Sequence, residues 1–126
     1  MSEHPFFILG FCFLLVHEMD AIRAKEWKIF PGLSRMSDEA GYVTFTALHV
    51  PVYALLFWGL LGDGGAPSLI FGLDVFFVVH VLLHLIFYNH PENRFRSVFS
   101  YTLIFGAGVF GAVDLVFTLT IAAITA

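Results

Sequence analysis

The sequence predicts an all-α integral membrane protein, a bundle of four transmembrane helices that makes one domain of residues 1–126. Of these residues 59% are hydrophobic and only 13% are charged, about half the charged fraction of an average soluble domain. Four apolar stretches each reach the roughly 20 residues that a helix needs to cross the hydrocarbon core of a bilayer. The main partner is therefore the lipid bilayer, and no basic run of the kind that binds nucleic acid is present.

The four predicted spans are about 5–22, 41–61, 67–89 and 97–124. Ser37 is a good N-cap for the second span, because two acidic residues follow it at the positive end of the helix dipole. A Gly-rich turn at 62–67 separates the second and third spans, and Pro67 suits a first helical turn. The third span ends before Pro91, since a helix rarely continues through the residue that precedes a proline.

The longest connection, from Arg23 to Met36, is predicted to contain a short interfacial helix. Trp27 and Phe30 in this stretch are typical of side chains at the headgroup level. All six basic residues fall in this connection or in the loop between spans three and four: Arg23, Lys25, Lys28, Arg35, Arg94 and Arg96. The positive-inside rule therefore places both of these loops in the cytoplasm and both termini outside.

Four histidines lie inside predicted spans, where a titratable group is by default a candidate functional residue. At about 1.5 Å per residue, His17 and His84 are each about 7 Å below the cytoplasmic boundary, and His49 and His80 about 12–13 Å. Asp20 is about 3 Å below it. These depths come from independent counts on three spans, yet all five groups fall in one slab roughly 10 Å thick.

The spacing of His80 and His84, i and i+4 on one helix face, lets two imidazoles reach one metal ion. We therefore predict a site for a divalent metal (zinc, iron or manganese) with His17, Asp20, His49, His80 and His84 as ligands, since no thiolate is available. Glu18 points about 100° away from His17 and is predicted to be a partner of a ligand or a general base. Two alternatives remain open, namely interhelical hydrogen bonding without metal and a proton or ion pathway.

Two further acids, Asp74 and Asp114, are predicted to meet in the opposite half of the membrane. There they would form a shared-proton pair or each bind a hydroxyl group, and either a structural pairing or a proton relay would be their role. On span four, Asp114 belongs to a narrow stripe of mostly small residues that allows a neighbouring helix to approach closely. The stripe consists of Ser100, Ile104, Ala107, Gly111, Asp114 and Thr118. His90 is predicted to be solvated, and His4 carries no prediction.

The stretch His17-Glu18-Met19-Asp20-Ala21, followed by Glu26-Trp27 in a basic segment, resembles small membrane proteins of the HXXEE type. In that family a His-x-x-acid motif ends the first helix, and further helices carry histidines. Here Ala21 stands where the motif has its second acid. The resemblance implies an uncharacterised protein of the bacterial inner membrane with functional His17 and Asp20, and it implies no particular reaction.

Three functions compete. The first is a metalloenzyme that acts on a lipid or other apolar substrate from the cytoplasmic leaflet, with hydrolysis or iron-dependent oxidation as the chemistry. The second is a non-enzymatic accessory subunit that packs in a homo-oligomer or a larger membrane complex. The third is a haem b protein in which His49 and either His80 or His84 are the axial ligands.

Overall fold

A computed structural model describes residues 4–62 and 67–125, and every regular element in these ranges is helical. The four long helices are α1 (Pro5–Ala24), α2 (Asp38–Leu61), α3 (Pro67–Ile86) and α4 (Val98–Thr125). Each of them is long and apolar enough to cross a membrane, which confirms the predicted fold class. The Gly-rich turn lies mostly outside the described residues, at 63–66.

The helix ends follow from local chemistry. The Ser37 hydroxyl accepts a hydrogen bond from the backbone N–H of Ala40 and so caps α2, as predicted. The Ser97 hydroxyl does the same for the N–H of Ser100 at the start of α4. Helix α3 ends at Ile86, three residues before the predicted end, because the chain tightens there and the N–H of Tyr88 bonds the carbonyl of Leu85.

The connecting segment, residues 25–37, contains two single-turn 3-10 helices, Glu26–Lys28 and Leu33–Arg35, in place of the one interfacial helix predicted. Lys25 adopts a left-handed conformation (φ 54°) that turns the chain sharply after α1. The Nζ atoms of Lys25 and Lys28 both bind the carboxylate of Asp38. This link fixes the segment between the end of α1 and the start of α2.

The four helices do not pack equally. Helix α4 lies along both α1 and α3, and the predicted small-residue stripe makes these contacts, with Ser100, Ile104, Ala107, Gly111 and Asp114 all buried. By contrast, α2 buries only Gly41, Phe45 and Leu60. The protein is therefore a three-helix core with α2 at its side.

Two apolar clusters divide the core along the membrane normal. The first joins α1, α3 and α4 around Phe7, Phe11 and Phe77, with Leu60 of α2 beside them. The second lies where α1 meets the connecting segment and the α3–α4 loop, and contains Ala21, Ala24, Trp27, Phe45, Phe95 and Ile104. His17 stands on α1 between Leu14 of the first cluster and Ala21 of the second. The predicted histidine layer thus falls between two water-excluding layers.

Candidate metal centre

Three imidazole rings converge between the two apolar clusters. The Nε2 atom of His84 lies 3.2 Å from Nε2 of His17 and 3.1 Å from Nε2 of His80. All three side chains are buried, and one ring nitrogen from each lies within 4.8 Å of the other two. The triad of His17, His80 and His84 is thus formed by one residue of α1 and by the i, i+4 pair of α3.

This spacing fits a metal ion. Zinc binds histidine nitrogen at roughly 2.0–2.1 Å in a tetrahedron, so neighbouring ligand nitrogens should be about 3.3 Å apart by geometry. The two observed nitrogen separations, 3.1 and 3.2 Å, are close to that edge. The three nitrogens lie close together inside the protein, and the triad could therefore hold a metal ion.

A fourth group comes from the connecting segment. The Oε1 atom of Glu26 lies 3.5 Å from Nε2 of His84, and the Glu26 side chain is itself buried. Burial, together with the negative charge of Glu18, raises the pKa of the Glu26 carboxyl to about 8. A cation at the triad would oppose both effects and favour the carboxylate form. Three imidazoles and one carboxylate are a common donor set for a divalent metal.

An aromatic residue closes the site on the side of the α3–α4 loop. Phe95 is fully buried, and its ring centroid lies 5.3 Å from that of His17 and 4.8 Å from that of His84. Asn93 holds it there, because its side-chain oxygen accepts the N–H of Phe95 and its amide donates to the carbonyl of Tyr88. Water therefore cannot reach the triad from this side.

The structure does not bring His49 into the triad. Its Nε2 atom lies 2.9 Å from Oε2 of Glu18, and its Nδ1 atom lies 2.7 Å from the carbonyl oxygen of Phe45. A carbonyl can only accept, so Nδ1 carries a hydrogen. The contact between Nε2 of His49 and Oε2 of Glu18 then needs one more proton, which lies between the imidazole ring and the carboxyl group. His49 and Glu18 form a proton-sharing dyad, a pairing that the sequence did not predict.

Asp20 also lies apart from the triad. Its Oδ1 atom accepts a hydrogen bond of 2.7 Å from Nε of Arg23, one turn further along α1. The Arg23 guanidinium also reaches the hydroxyl of Ser100 on α4, at 3.4 Å. An ion pair with arginine compensates the charge of this nearly buried carboxylate, and Asp20 therefore has a cation partner without any metal.

His80 and His84 of the triad share one cavity of about 250 Å³ with the dyad, between α2 and α3 and beneath the connecting segment, and His17 is not among its lining residues. Its polar lining consists of Glu18, Glu26, His49, His80 and His84. The remaining walls are apolar, and three wall residues also reach the outer surface of the bundle: Phe76 and Leu83 on α3, and Phe87 just after its end. The volume is near the lower end of ligand pockets, roughly 300–1,000 Å³, so the cavity suits one functional group rather than a whole lipid.

Asp74 and Asp114 meet, as predicted, at the other end of the bundle. Both are 1% exposed. His4 is a partner that the sequence did not suggest, since its Nδ1 atom lies 2.8 Å from Oδ2 of Asp114. Glu26 is the other polar group that sequence reasoning missed. The sequence did carry a signal for Glu26, because it is an acid three residues after the basic residue at the end of the first span. Counting residues along straight helices treats such a position as part of a loop.

A model of a family described as a family of unknown function (DUF6713) matches residues 3–121. This match is consistent with the uncharacterised nature of the proteins that the sequence resembles, but it does not confirm the HXXEE resemblance. No curated protein and no solved structure matches the chain.

Proposed function

The chain belongs to DUF6713, a family of unknown function, and we propose that it is a membrane metalloprotein in which His17, His80 and His84 bind one divalent metal ion. The observation that carries this proposal is the convergence of three Nε2 atoms, with His84 at 3.1 and 3.2 Å from the other two. A single buried histidine usually serves packing or hydrogen bonding. Three buried histidines that face one another, with no acid placed between any two of them, are better explained by one ion that all three bind.

The donor set indicates zinc, iron or manganese, because imidazole and carboxylate suit these ions and no thiolate is near. Glu26 replaces Asp20 and His49 of the predicted set as the fourth protein ligand, since those two have other partners. The positive-inside rule places this centre near the cytoplasmic face, in the inner membrane if the chain is bacterial.

We propose further that the centre is catalytic and acts on a lipid or other apolar substrate. The cavity supports this, because its apolar walls reach the lipid-facing surface of α3 while its polar groups gather at the triad. A divalent metal held there would supply Lewis-acid activation of water or of a substrate carbonyl. The proton shared by Glu18 and His49 lies on the same cavity wall, so Glu18 is the proposed general base or acid and His49 orients it.

Metal content of the purified full-length protein tests the proposal. We expect about one zinc, iron or manganese ion per chain, and loss of that ion in His17→Ala, His80→Ala and His84→Ala. His90→Ala is the matched control, because His90 lies in the α3–α4 loop, away from the triad, and its Nδ1 atom accepts the N–H of Glu92. A folded wild-type protein that binds none of the three metals after incubation and desalting would refute the proposal.

Haem b, the other cofactor that the sequence allowed, is not favoured, because a cavity of about 250 Å³ suits one functional group and not a macrocycle. A Soret band in the purified protein that disappears in His49→Ala would favour it. An accessory role in a larger complex is the alternative without catalysis. It is favoured by the sparse packing of α2, and co-purification of a fixed partner with a metal-free protein would support it.

A further inference from the structure

The pair of acids at the other end of the bundle, Asp74 of α3 and Asp114 of α4, is not part of the metal centre. On α3 the nearest histidine, His80, is six residues away, or about 9 Å along the helix axis. Phe77 is fully buried between them, and it belongs to the apolar cluster that fills this level of the core. The two acids therefore need an explanation of their own.

Asp114 has clear partners. Helix α1 begins at Pro5, at the level of Asp114 and well inside the length of α4, so its first N–H groups do not face open water. The Oδ1 atom of Asp114 accepts the N–H of Phe7 at 3.2 Å, and Oδ2 lies 2.8 Å from Nδ1 of His4. A helix N-terminus favours negative charge and its free N–H groups need acceptors. Asp114 is consequently suited to be a carboxylate.

Asp74 has no comparable compensation. Its side chain is 1% exposed, and its Oδ1 atom has no hydrogen-bond partner among the described residues. Its charged neighbour is Asp114 across the α3–α4 seam, which is close there, since a Cβ atom added at Gly111, three residues before Asp114, would lie 3.1 Å from the backbone oxygen of Asp74. Two carboxylates side by side in an apolar environment cannot both stay charged, because each raises the energy of the other and neither is solvated.

The groups that face the two acids leave one way to compensate their charge. His4 stands on the side of α1, while the adjoining parts of α2 and α3 contribute Leu60, Ile70 and Leu73, which are apolar. Within the described ranges no Lys or Arg approaches the pair. We propose that Asp74 is a proton-binding site: it holds one exchangeable proton at neutral pH and donates it in a hydrogen bond to the carboxylate of Asp114. The site stands independently of the proposed metal centre.

The proton can exchange with the medium because the pair is not sealed. His4, which touches Asp114, is 22% exposed, whereas the buried Phe77 separates the pair from the histidine layer. The ligand is thus a proton taken up from the side of the membrane on which His4 lies. A sodium or potassium ion between the two carboxylates is the rival occupant.

Infrared spectroscopy of the full-length protein in lipid nanodiscs tests this. At neutral pH we expect a carbonyl stretch of a protonated carboxylic acid that moves on isotope labelling of aspartate, shifts in heavy water, and is lost in Asp74→Asn. Asp38→Asn is the matched control, because Asp38 is exposed and paired with two lysines, and it should keep the band. Because isotope labelling of aspartate is done on the wild-type protein, the test can still be decided if Asp74→Asn does not fold.

A labelled wild-type protein without such a band at neutral pH would overturn the proposal, as would a band that does not respond to heavy water. A melting temperature that rises with sodium or potassium concentration in the wild type, and no longer does so in Asp74→Asn, would assign the site to a metal cation and also overturn it. The proposed proton predicts instead that wild-type stability falls with rising pH over the range in which Asp74 keeps its proton in the folded state but has lost it in the unfolded state, because the folded state binds more protons there.

Discussion

The Nε2 atom of His49 and the Oε2 atom of Glu18 are 2.9 Å apart, and they form one wall of the cavity whose other wall carries His80 and His84. Five ionisable groups of the histidine layer are thus split between two sets. The three imidazoles of the triad bring ring nitrogens close together, while Glu18 and His49 share a hydrogen bond beside them. Because the triad and the dyad are separate, a variant can change one of them and leave the other intact.

Removing either member of the dyad should destabilise the protein without removing the metal. We expect His49→Ala and Glu18→Ala each to lower the free energy of unfolding by about 1–3 kcal/mol, the cost of leaving a partly buried polar group unpaired. The double variant should lose clearly less than the sum, because both single variants break the same contact. Chemical unfolding in detergent gives the energies and elemental analysis the metal content. If the loss in the double variant equals the sum of the two single losses within about 0.5 kcal/mol, the pairing of His49 with Glu18 is contradicted.

Glu26 should control metal affinity and leave the fold intact. If its carboxylate completes the centre, Glu26→Gln should weaken metal binding by about 10–100-fold, the usual cost of losing a supporting group at a metal site. The imidazoles would still bind the ion, so the loss should be partial. Competition with a chelator measures it, and Glu39→Gln, at an exposed site in the first turn of α2, is the control. Equal affinities for the two variants would exclude Glu26 from the centre.

The sequence included the three histidines of the triad among its five predicted ligands, because helix geometry groups them. Depth follows from a rise of about 1.5 Å per residue, and the i, i+4 spacing fixes the shared face of His80 and His84. Neither rule says how far a neighbouring helix is rotated or displaced. For that reason the same count grouped His49 with the triad, although α2 stands at the side of the core and turns this ring toward Glu18.

Glu26 and Asp20 show the second limit of such counting. The left-handed turn at Lys25 brings Glu26 back toward the histidines. The hydrophobic periodicity of the sequence does not predict a turn of this kind at a lysine. Asp20 was grouped with the histidines by its counted depth alone, but Arg23 lies on the same side of α1 one turn later and binds its carboxylate. A pairing rule for i, i+3 charges would have identified this partner.

The seam between α3 and α4 should not tolerate a methyl group at Gly111. A Cβ atom there would lie 3.0 Å from Cβ of Phe77 and 3.1 Å from the backbone oxygen of Asp74, and backbone cannot move aside cheaply. We expect Gly111→Ala to cost about 1–3 kcal/mol, as overpacking does. Gly72→Ala on α3 is the matched control, because nothing lies within 4 Å of its added Cβ. It should be neutral or slightly stabilising, and equal melting temperatures for both variants would refute this packing.

Gly41→Ala should release the connecting segment from the cavity. A Cβ atom at Gly41 would fall on the indole ring of Trp27, which is 2% exposed and adjoins Glu26. Since the indole cannot stay in place, Trp27 should become more accessible and Glu26 should move away from His84. We expect a red-shifted emission, stronger quenching by acrylamide and a lower metal affinity. The Trp58→Phe background leaves Trp27 as the single indole, because the chain contains only these two tryptophans. Gly72→Ala in the same background controls for the added methyl group, and unchanged emission in Gly41→Ala would mean that Trp27 does not rest on α2.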